Sequence, residues 1–526
     1  MALVVGTPHR ALYIFDILEQ IFKELDPVHR GIFEIDMDGA CVQALGRASR
    51  VCTAWTVPAL NILWMNLIGM EPLFCVFSAL YERYRVDRTR AKLRQGLPAE
   101  GWLRFREYMR RVRTLYINNR DFGDEVKLRH FGRIAYTNGI PIAPMAPRLE
   151  TLKWEATPTI DELHYLTMIA PTTLKHIIIT RRSGPILVHY PGLVLHLKQM
   201  FPDLESMSIL AGWRRPLPDL VPFTQFGTLR SIELYVRLTP EQWYVLSSLQ
   251  SLRQVTALVF GLRQLSPEIR GFPNVEAFVC IMDDWEDVSW VNTISSRCLK
   301  TLLVRYASQG PVHGHLRIHV TGALETMCAR FGDTLRDISL VTSFPIDRES
   351  PFDFLRMLEC INPLFRLRGI ERFRVIESIK SSDPKYDIQD SLTDRILGEL
   401  STAWPKPRGL RLEAQCPGRE YYSTDALAKL AQRCPELEIL GLGNIKLSTL
   451  PTPRCEGSTI HHLRNLFIGH YTGDAGDMAS RLLAIFPSAT VNSLTRDEEN
   501  PAVKPAYIER LLSLVEEYKR TRRLSR

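Results

Sequence analysis

The sequence predicts an α/β solenoid, with parallel strands on its concave face and helices on its convex face, preceded by a short unit of three helices. Three observations predict it. One six-residue pattern recurs along most of the chain: an apolar residue, two variable positions, an apolar residue, one variable position and a third apolar residue. Amphipathic helical stretches lie between its copies. Residues 11–67 lack the pattern and carry apolar stripes at three- and four-residue steps instead.

Within 11–67, Ile14, Ile17, Leu18, Ile21, Phe22 and Leu25 fall on one face of a first helix that Pro27 ends. Leu45, Ala48, Val51, Cys52 and Trp55 fall on one face of a second helix, and Leu60, Leu63, Trp64 and Leu67 follow Pro58 on a third. Three short helices cannot bury stripes of this width against one another alone, so part of the apolar surface is expected to face a partner.

Copies of the repeat start at Val112, Leu149, Leu174, Leu204, Leu229, Val255, Val275, Leu299, Leu335, Ile370, Leu437 and Leu463, with a poorer one at Gly409 to Leu412. The second and third apolar residues of a copy lie two apart and share one face of a short strand, while the first packs the turn leading into it. Each unit buries that face only by stacking on its neighbours, which makes a parallel sheet the expected outcome. Helices are expected at 161–169, 193–200, 240–249, 323–331, 352–358, 392–400, 424–432 and 479–486. Several open on a cap, as at Ser423, or on Thr239 with Pro240 at the first helical position. Residues 378–390 read as an exposed loop, and a helix from Pro505 precedes the basic run Lys519 to Arg526.

The run Asp16-Ile-Leu-Glu-Gln-Ile-Phe-Lys-Glu-Leu25, followed by Arg50-Val-Cys-Thr-Ala-Trp55 and Leu63-Trp64, resembles the F-box motif, and Ala59-Leu-Asn-Ile-Leu-Trp64 resembles its fungal form. Tyr13-Ile14 stands where the motif usually opens with Leu-Pro, and residues 28–40 read as an insertion between the first two helices. The repeat resembles that of leucine-rich-repeat proteins in an irregular form, with a wandering period and no asparagine ladder. Domain bounds on this reading are 1–75 for the helical unit, 76–111 for a basic linker, 112–495 for the solenoid and 496–526 for a C-terminal helix and tail.

The resemblance implies that the helices dock on a Skp1-like adaptor, and through it on a cullin. Ile17, Leu18, Ile21, Phe22, Leu25, Val51, Cys52 and Trp55 would face or support that adaptor. It also implies that the concave face of the repeat holds a protein substrate through variable strand positions: Lys153, Glu155, Glu233, Tyr235, Leu303, Arg305, Arg374, Arg411, Glu413 and Phe467. Mixed charge with Tyr, Arg and Phe anchors suits a protein or peptide better than a polyanion. The expected function is therefore that of a non-catalytic substrate-recognition adaptor of an SCF-type ubiquitin ligase. The alternative is a leucine-rich-repeat interaction scaffold with a degenerate F-box and no ligase link.

Composition narrows the remaining classes. Ten scattered cysteines with no Cys-x-x-Cys pair, and no Asn-x-Ser/Thr sequon, point to a reducing compartment, cytoplasm or nucleus. His9 and Arg10 follow the apolar start instead of preceding it, against a signal peptide. Residues 57–80 are apolar, but Pro58, Asn61, Asn66, Gly69, Glu71 and Pro72 interrupt them, so no membrane span is expected. Residues 83–113 hold eleven Lys and Arg against three acids, a surplus equal to the whole chain's formal net charge of +8. Without a nucleic-acid-binding signature this reads as a solvated helix face, and nucleic acid is not an expected partner. No nucleophile elbow, phosphate loop or His-Glu-x-x-His helix is present. His313, His315 and His319, and His461-His462 beyond Cys455, lack zinc-ligand spacing, so neither metal nor cofactor is expected, nor enzymatic activity.

Overall fold

The repeat becomes a parallel β-sheet. The computed structural model describes residues 13–26, 28–30, 35–75, 99–118, 144–155, 166–180, 192–210, 220–259, 265, 270–282, 289–307, 316–344, 360–379, 391–414, 422–448, 461–493 and 506–524. It divides the chain into two compact units, Met1–Val236 and Arg237–Arg526.

The first unit opens with helix α1 (Phe15–Lys23). The apparent insertion at 28–40 supplies an antiparallel pair, β1 (Val28–Arg30) with β2 (Ile35–Met37). Asp38 then caps α2 (Gly39–Ala48), its carboxylate accepting the Ala40 amide at 2.8 Å, and α3 (Thr53–Leu63) follows.

Two sequence expectations are corrected here. The second helix stops at Ala48, so Val51 lies in the turn, Cys52 is the extended residue before α3, and Trp55 belongs to α3. The Thr56 hydroxyl fixes that turn by donating to the carbonyls of Ser49 and Cys52 at 2.9 and 3.0 Å. Nor does the third helix wait for Pro58, which lies inside it. Pro58, Ala59 and Ile62 are all buried on the face it packs inward, and that packing outweighs the backbone bond the proline removes.

After β3 (Asn66–Ile68), α4 (Glu71–Phe74) and α5 (Ala99–Met109) come β4 (Thr114–Asn118), β5 (Thr151–Glu155), β6 (His176–Thr180), α6 (Leu193–Met200), β7 (Ser206–Leu210) and β8 (Ser231–Arg237). From β3 to β8 each strand pairs in parallel with the one before. β3 lies within the stretch assigned to the helical unit. It carries no full copy of the repeat, only Leu67 opposite Leu115 of β4.

The second unit continues with α7 (Pro240–Ser247), β9 (Gln254–Leu258), β10 (Ala277–Met282), α8 (Ser289–Thr293), β11 (Thr301–Ala307), α9 (Leu316–Phe331) and β12 (Asp337–Phe344). Then come β13 (Arg372–Ile379), α10 (Ser391–Ala403), β14 (Gly409–Ala414), β15 (Tyr422–Ser423), α11 (Thr424–Arg433), β16 (Ile439–Lys446), β17 (Asn465–Thr472), α12 (Ala475–Ile485), β18 (Thr490–Ser493) and α13 (Ala506–Leu524). The strands run in parallel from β9 to β14 and on through β16 and β17 to β18, with β15 paired to β16 off that path. The caps at Ser423 and Thr239 form as expected, Thr239 in a reciprocal box with Gln242. Of the expected helix at 161–169 only 166–169 are described, and 352–358 and 380–390 lie outside the described residues.

The copy read from Val255 is out of frame by three residues. β9 pairs Val255 with Phe278 and Ala257 with Cys280, so the unit is Leu252-x-x-Val255-x-Ala257, all three fully buried. Ala257 occupies the third slot, beside Cys280 of β10, and so small a residue there weakened the pattern.

A second regularity runs through the repeat one position after its first apolar residue. In the first unit this position reads Arg113, Glu150, Lys175, Glu205, Arg230, alternating in sign from strand to strand. Arg113 and Glu150 approach to 3.7 Å, Lys175 and Glu205 to 3.3 Å. In the second unit Arg253, Glu276, Lys300, Arg336, Glu371, Arg408, Glu438 and Arg464 alternate with one break, at Lys300 and Arg336. There Arg336 turns to the Leu335 carbonyl at 2.8 Å. Exposed pairs of this kind each add little stability, but a slip in register would part the opposite charges of every such pair, so the ladder helps fix register.

His461 ties two successive turns of the second unit together. Its Nδ1 accepts the Leu463 amide at 3.0 Å, so the proton sits on Nε2, which donates to the Cys434 carbonyl at 3.1 Å. Burial pulls its pKa below the ordinary 6.5, against the opposite pull of the Cys434 bond. The unfolded ring therefore takes up a proton before the folded one does. Stability is expected to hold above pH 6.5 and to fall as pH drops from there toward the lowered folded value, by at most about 1.4 kcal/mol per pH unit from this group. Urea midpoints across that window check it, and His461→Gln should flatten the slope.

Candidate functional site

Two surfaces stand out, one on the N-terminal helices and one on the sheet. Leu18, Phe22, Leu45, Ala48, Ala59 and Ile62 form the core of the three helices, with Leu25, Ala54, Trp55 and Leu63 packed against it. Trp55 meets Phe22 edge to face at 5.6 Å. Of the residues expected to face or support an adaptor, Leu18, Phe22, Leu25 and Trp55 thus lie in or against the core, and Cys52 is half-buried. Ile17, Ile21 and Val51 remain open, at 39%, 45% and 62% exposure. The sequence did not single out Phe15 and Val57, which are equally exposed; it placed Ile14 on the apolar stripe of the first helix and treated Tyr13 only as a departure from a motif. Ile14, Ile17 and Ile21 follow helical spacing, so α1 turns one stripe inward and leaves the adjoining one in solvent.

These helices are fastened to the sheet of their own unit. The Asn66 amide of β3 donates to both Asp26 oxygens at 3.1 Å, and Trp64 stacks on Tyr108 of α5 at 4.4 Å. Arg111 binds Asn61, and Glu107 at 3.0 Å. The described part of the basic stretch is thereby accounted for: Trp102, Phe105 and Met109 of α5 point inward while Arg104 and Arg106 stay in solvent. Residues 76–98 lie outside the described residues.

Strand register places the predicted substrate-facing residues in rows. In the first unit Tyr116, Lys153, Ile178, Ser208 and Glu233 are lateral neighbours on β4 to β8, on the face opposite the buried row of Leu115, Leu152, Ile177, Met207 and Ile232. Tyr235 lies one row further along β8. Lys153 is not a free surface lysine. It is 8% exposed, with Nζ 4.6 Å from the Tyr116 ring centre. The Tyr116 hydroxyl donates to Glu155, itself buried, and Ser208 donates to Glu233 at 2.7 Å. Tyr116 and Ser208 are partners that the pattern alone did not reveal.

In the second unit Leu303, Ser339, Arg374, Arg411, Gly441 and Phe467 form one such row, and Arg305, Val341, Ile376 and Glu413 the next. Arg411 reaches across β16 to the Phe467 ring, 5.0 Å away, and pairs with Glu413. Gly441 makes that reach possible: a Cβ there would come within 3.1 Å of the Arg411 Cγ and of Glu413 Oε1. Arg374 stands beside Arg411, and burial together with Arg411 and Arg305 lowers its pKa.

Burial raises the Cys280 thiol well above its ordinary value and pushes Cys328 and Cys434 to about 11, which keeps them protonated and unreactive. Among the described residues no three His, Cys, Asp or Glu side chains gather as a metal site. His313, His315 and Cys455 lie outside those residues. Among the described residues no helix is long and apolar enough to cross a membrane. Compared with known proteins, the chain matches no family model and no curated sequence.

Proposed function

We propose that this chain is a non-catalytic adaptor: its N-terminal helices dock on a Skp1-type subunit of a cullin-based ubiquitin ligase, and its sheet face holds the protein to be modified. One observation carries the reading. A helical unit that fills its own core with Leu18, Phe22, Leu45 and Ile62 still leaves Tyr13, Ile14, Phe15, Ile17, Ile21, Val51 and Val57 open. Open apolar side chains concentrated in one small unit mark a contact surface, and the F-box resemblance names the partner. The ties from Asn66 and Arg111 to the helices support it further, since an adaptor works by holding two things at fixed separation.

The test is co-expression of the full chain with a Skp1-type adaptor, followed by size-exclusion chromatography. The wild-type chain is expected to co-elute with the adaptor, and the Ile17→Asp/Val51→Asp variant to elute alone while folded. Each carboxylate forced into an apolar contact should cost several kcal/mol, a thousandfold or more in affinity. Co-elution of both would contradict the docking face. A folded wild-type chain that elutes alone would leave a repeat scaffold without a ligase link.

A further inference from the structure

In the chain by itself Ile14, Ile17 and Ile21 stand in water on a stripe about 10 Å long, at steps of three and four residues along α1 and the residue before it. Asp16, Glu19 and Lys23 lie more than a quarter turn round the helix from Ile17, and Glu24 lies past its last turn. No charge therefore interrupts the stripe. Tyr13, Phe15, Val51 and Val57 open further apolar surface on the same helical unit. With about 150–250 Å² for a whole aromatic side chain and less for Ile and Val, the open parts of these residues amount to roughly 600 Å² per chain. The largest apolar patch on a monomer is about 300–600 Å², and a specific interface takes about 800 Å² from each side. The face is thus at the limit of what one chain leaves in water and close to what a pair requires. It is also its own complement. Ile17 lies near the middle of the stripe, so a two-fold axis beside it sets Ile17 against Ile17 of a second copy and Ile14 against the second copy's Ile21, with the two α1 helices antiparallel. That contact buries no charge and opposes the two helix dipoles.

We propose that the chain without its adaptor pairs with a second copy of itself through this face, α1 against α1. Self-pairing and adaptor binding then exclude each other, because both use the same isoleucines, and the adaptor has to split the pair before it docks. That exclusion rests on the adaptor reading; the pairing itself does not.

Sedimentation equilibrium of the full chain, without any adaptor, tests the pairing at loadings from about 1 to about 100 µM, the range in which an interface of this size associates. The mass is expected to rise to that of two chains and stop there, since an isologous contact closes on itself. Ile17→Asp and Ile17→Lys, each checked for folding by circular dichroism, should weaken self-association at least a hundredfold, because each sets like charges face to face at the axis. Mixed in equal amounts, the two variants should pair with each other at least tenfold more tightly than either pairs with itself. Leu103→Asp, outside the face, should pair as the wild type does. A wild-type chain that stays monomeric over the whole range, masses that climb past two chains, an Ile17→Asp chain that still pairs, a Leu103→Asp chain that does not, or a mixture that stays monomeric would each overturn it. Because no adaptor is present, failure here leaves the docking proposal untouched, and failure of docking leaves the pairing untouched.

Discussion

Phe22→Ala is expected to loosen the whole N-terminal helical unit, at a cost of about 3–5 kcal/mol, while Ile21→Asp one residue earlier changes stability by less than about 0.5 kcal/mol. The ring of Phe22 is 3% exposed and carries the edge-to-face contact with Trp55, which joins α1 to α3. Removing it opens a cavity among Leu18, Leu45, Ala59 and Ile62 that three short helices cannot close by shifting. Ile21 is not one of the core residues and is nearly half exposed. Amide hydrogen exchange over 15–63 reads the difference: fast exchange in Phe22→Ala, wild-type protection in Ile21→Asp. Equal protection in both would mean the helices are held by something other than this core.

The second large effect belongs to the aromatic cluster of the second unit. Trp243 of α7 meets Phe272 at 5.2 Å and Phe278 of β10 at 6.1 Å, and Phe278 stacks on Trp290 of α8 at 5.5 Å. The indole N–H donates to the Thr293 hydroxyl at 2.9 Å, which donates in turn to the Trp290 carbonyl at 2.6 Å. Backbone geometry is committed to this cluster too. Phe272 takes a left-handed φ of 51°, and a Cβ on Gly271 would lie 2.2 Å from that of Ser247. Trp243→Ala is expected to cost about 3–5 kcal/mol through lost area and cavity, and Thr293→Val about 1–2 kcal/mol through the orphaned indole donor. Urea unfolding followed by circular dichroism measures both. A Trp243→Ala cost no larger than that of Thr293→Val would show that the rings contribute less than their burial implies.

The sheet could be read from the sequence because its three apolar slots recur with nothing competing for them. Leu204, Met207 and Ile209, or Leu335, Ile338 and Leu340, show the pattern complete, and all six are buried. It failed where the slots are filled weakly: at β9, where Ala257 stands in for a large residue, and at the end strands β3 and β18, each with a neighbour on one side only. The helical unit was harder for a different reason. Ile14, Ile17 and Ile21 interleave with Leu18, Phe22 and Leu25 at the same helical steps, so periodicity cannot say which stripe is core and which is surface. Where α3 docks decides that, and the helix boundary at Cys52 moved Trp55 from the second helix to the third.

The sheet face was located by the pattern, since Lys153, Glu233, Arg374, Arg411 and Phe467 all fall on the predicted rows. What each does there was not. Lys153 lies over Tyr116 and Arg411 over Phe467, contacts set by lateral register between strands far apart in sequence. Gly441, which lets Arg411 cross a strand, carries no side chain to betray its part.

The most direct measurement is calorimetric titration of a Skp1-type adaptor into the full chain, its Ile21→Asp variant and its Leu103→Asp variant. Leu103, at 67% exposure on α5, is as open as any residue of the helical face but lies outside it, so it controls for the substitution itself. The account predicts wild-type affinity for Leu103→Asp and at least a hundredfold loss for Ile21→Asp, about 2.7 kcal/mol, with both chains folded. Equal affinities for all three, or no binding by the folded wild-type chain, would contradict it.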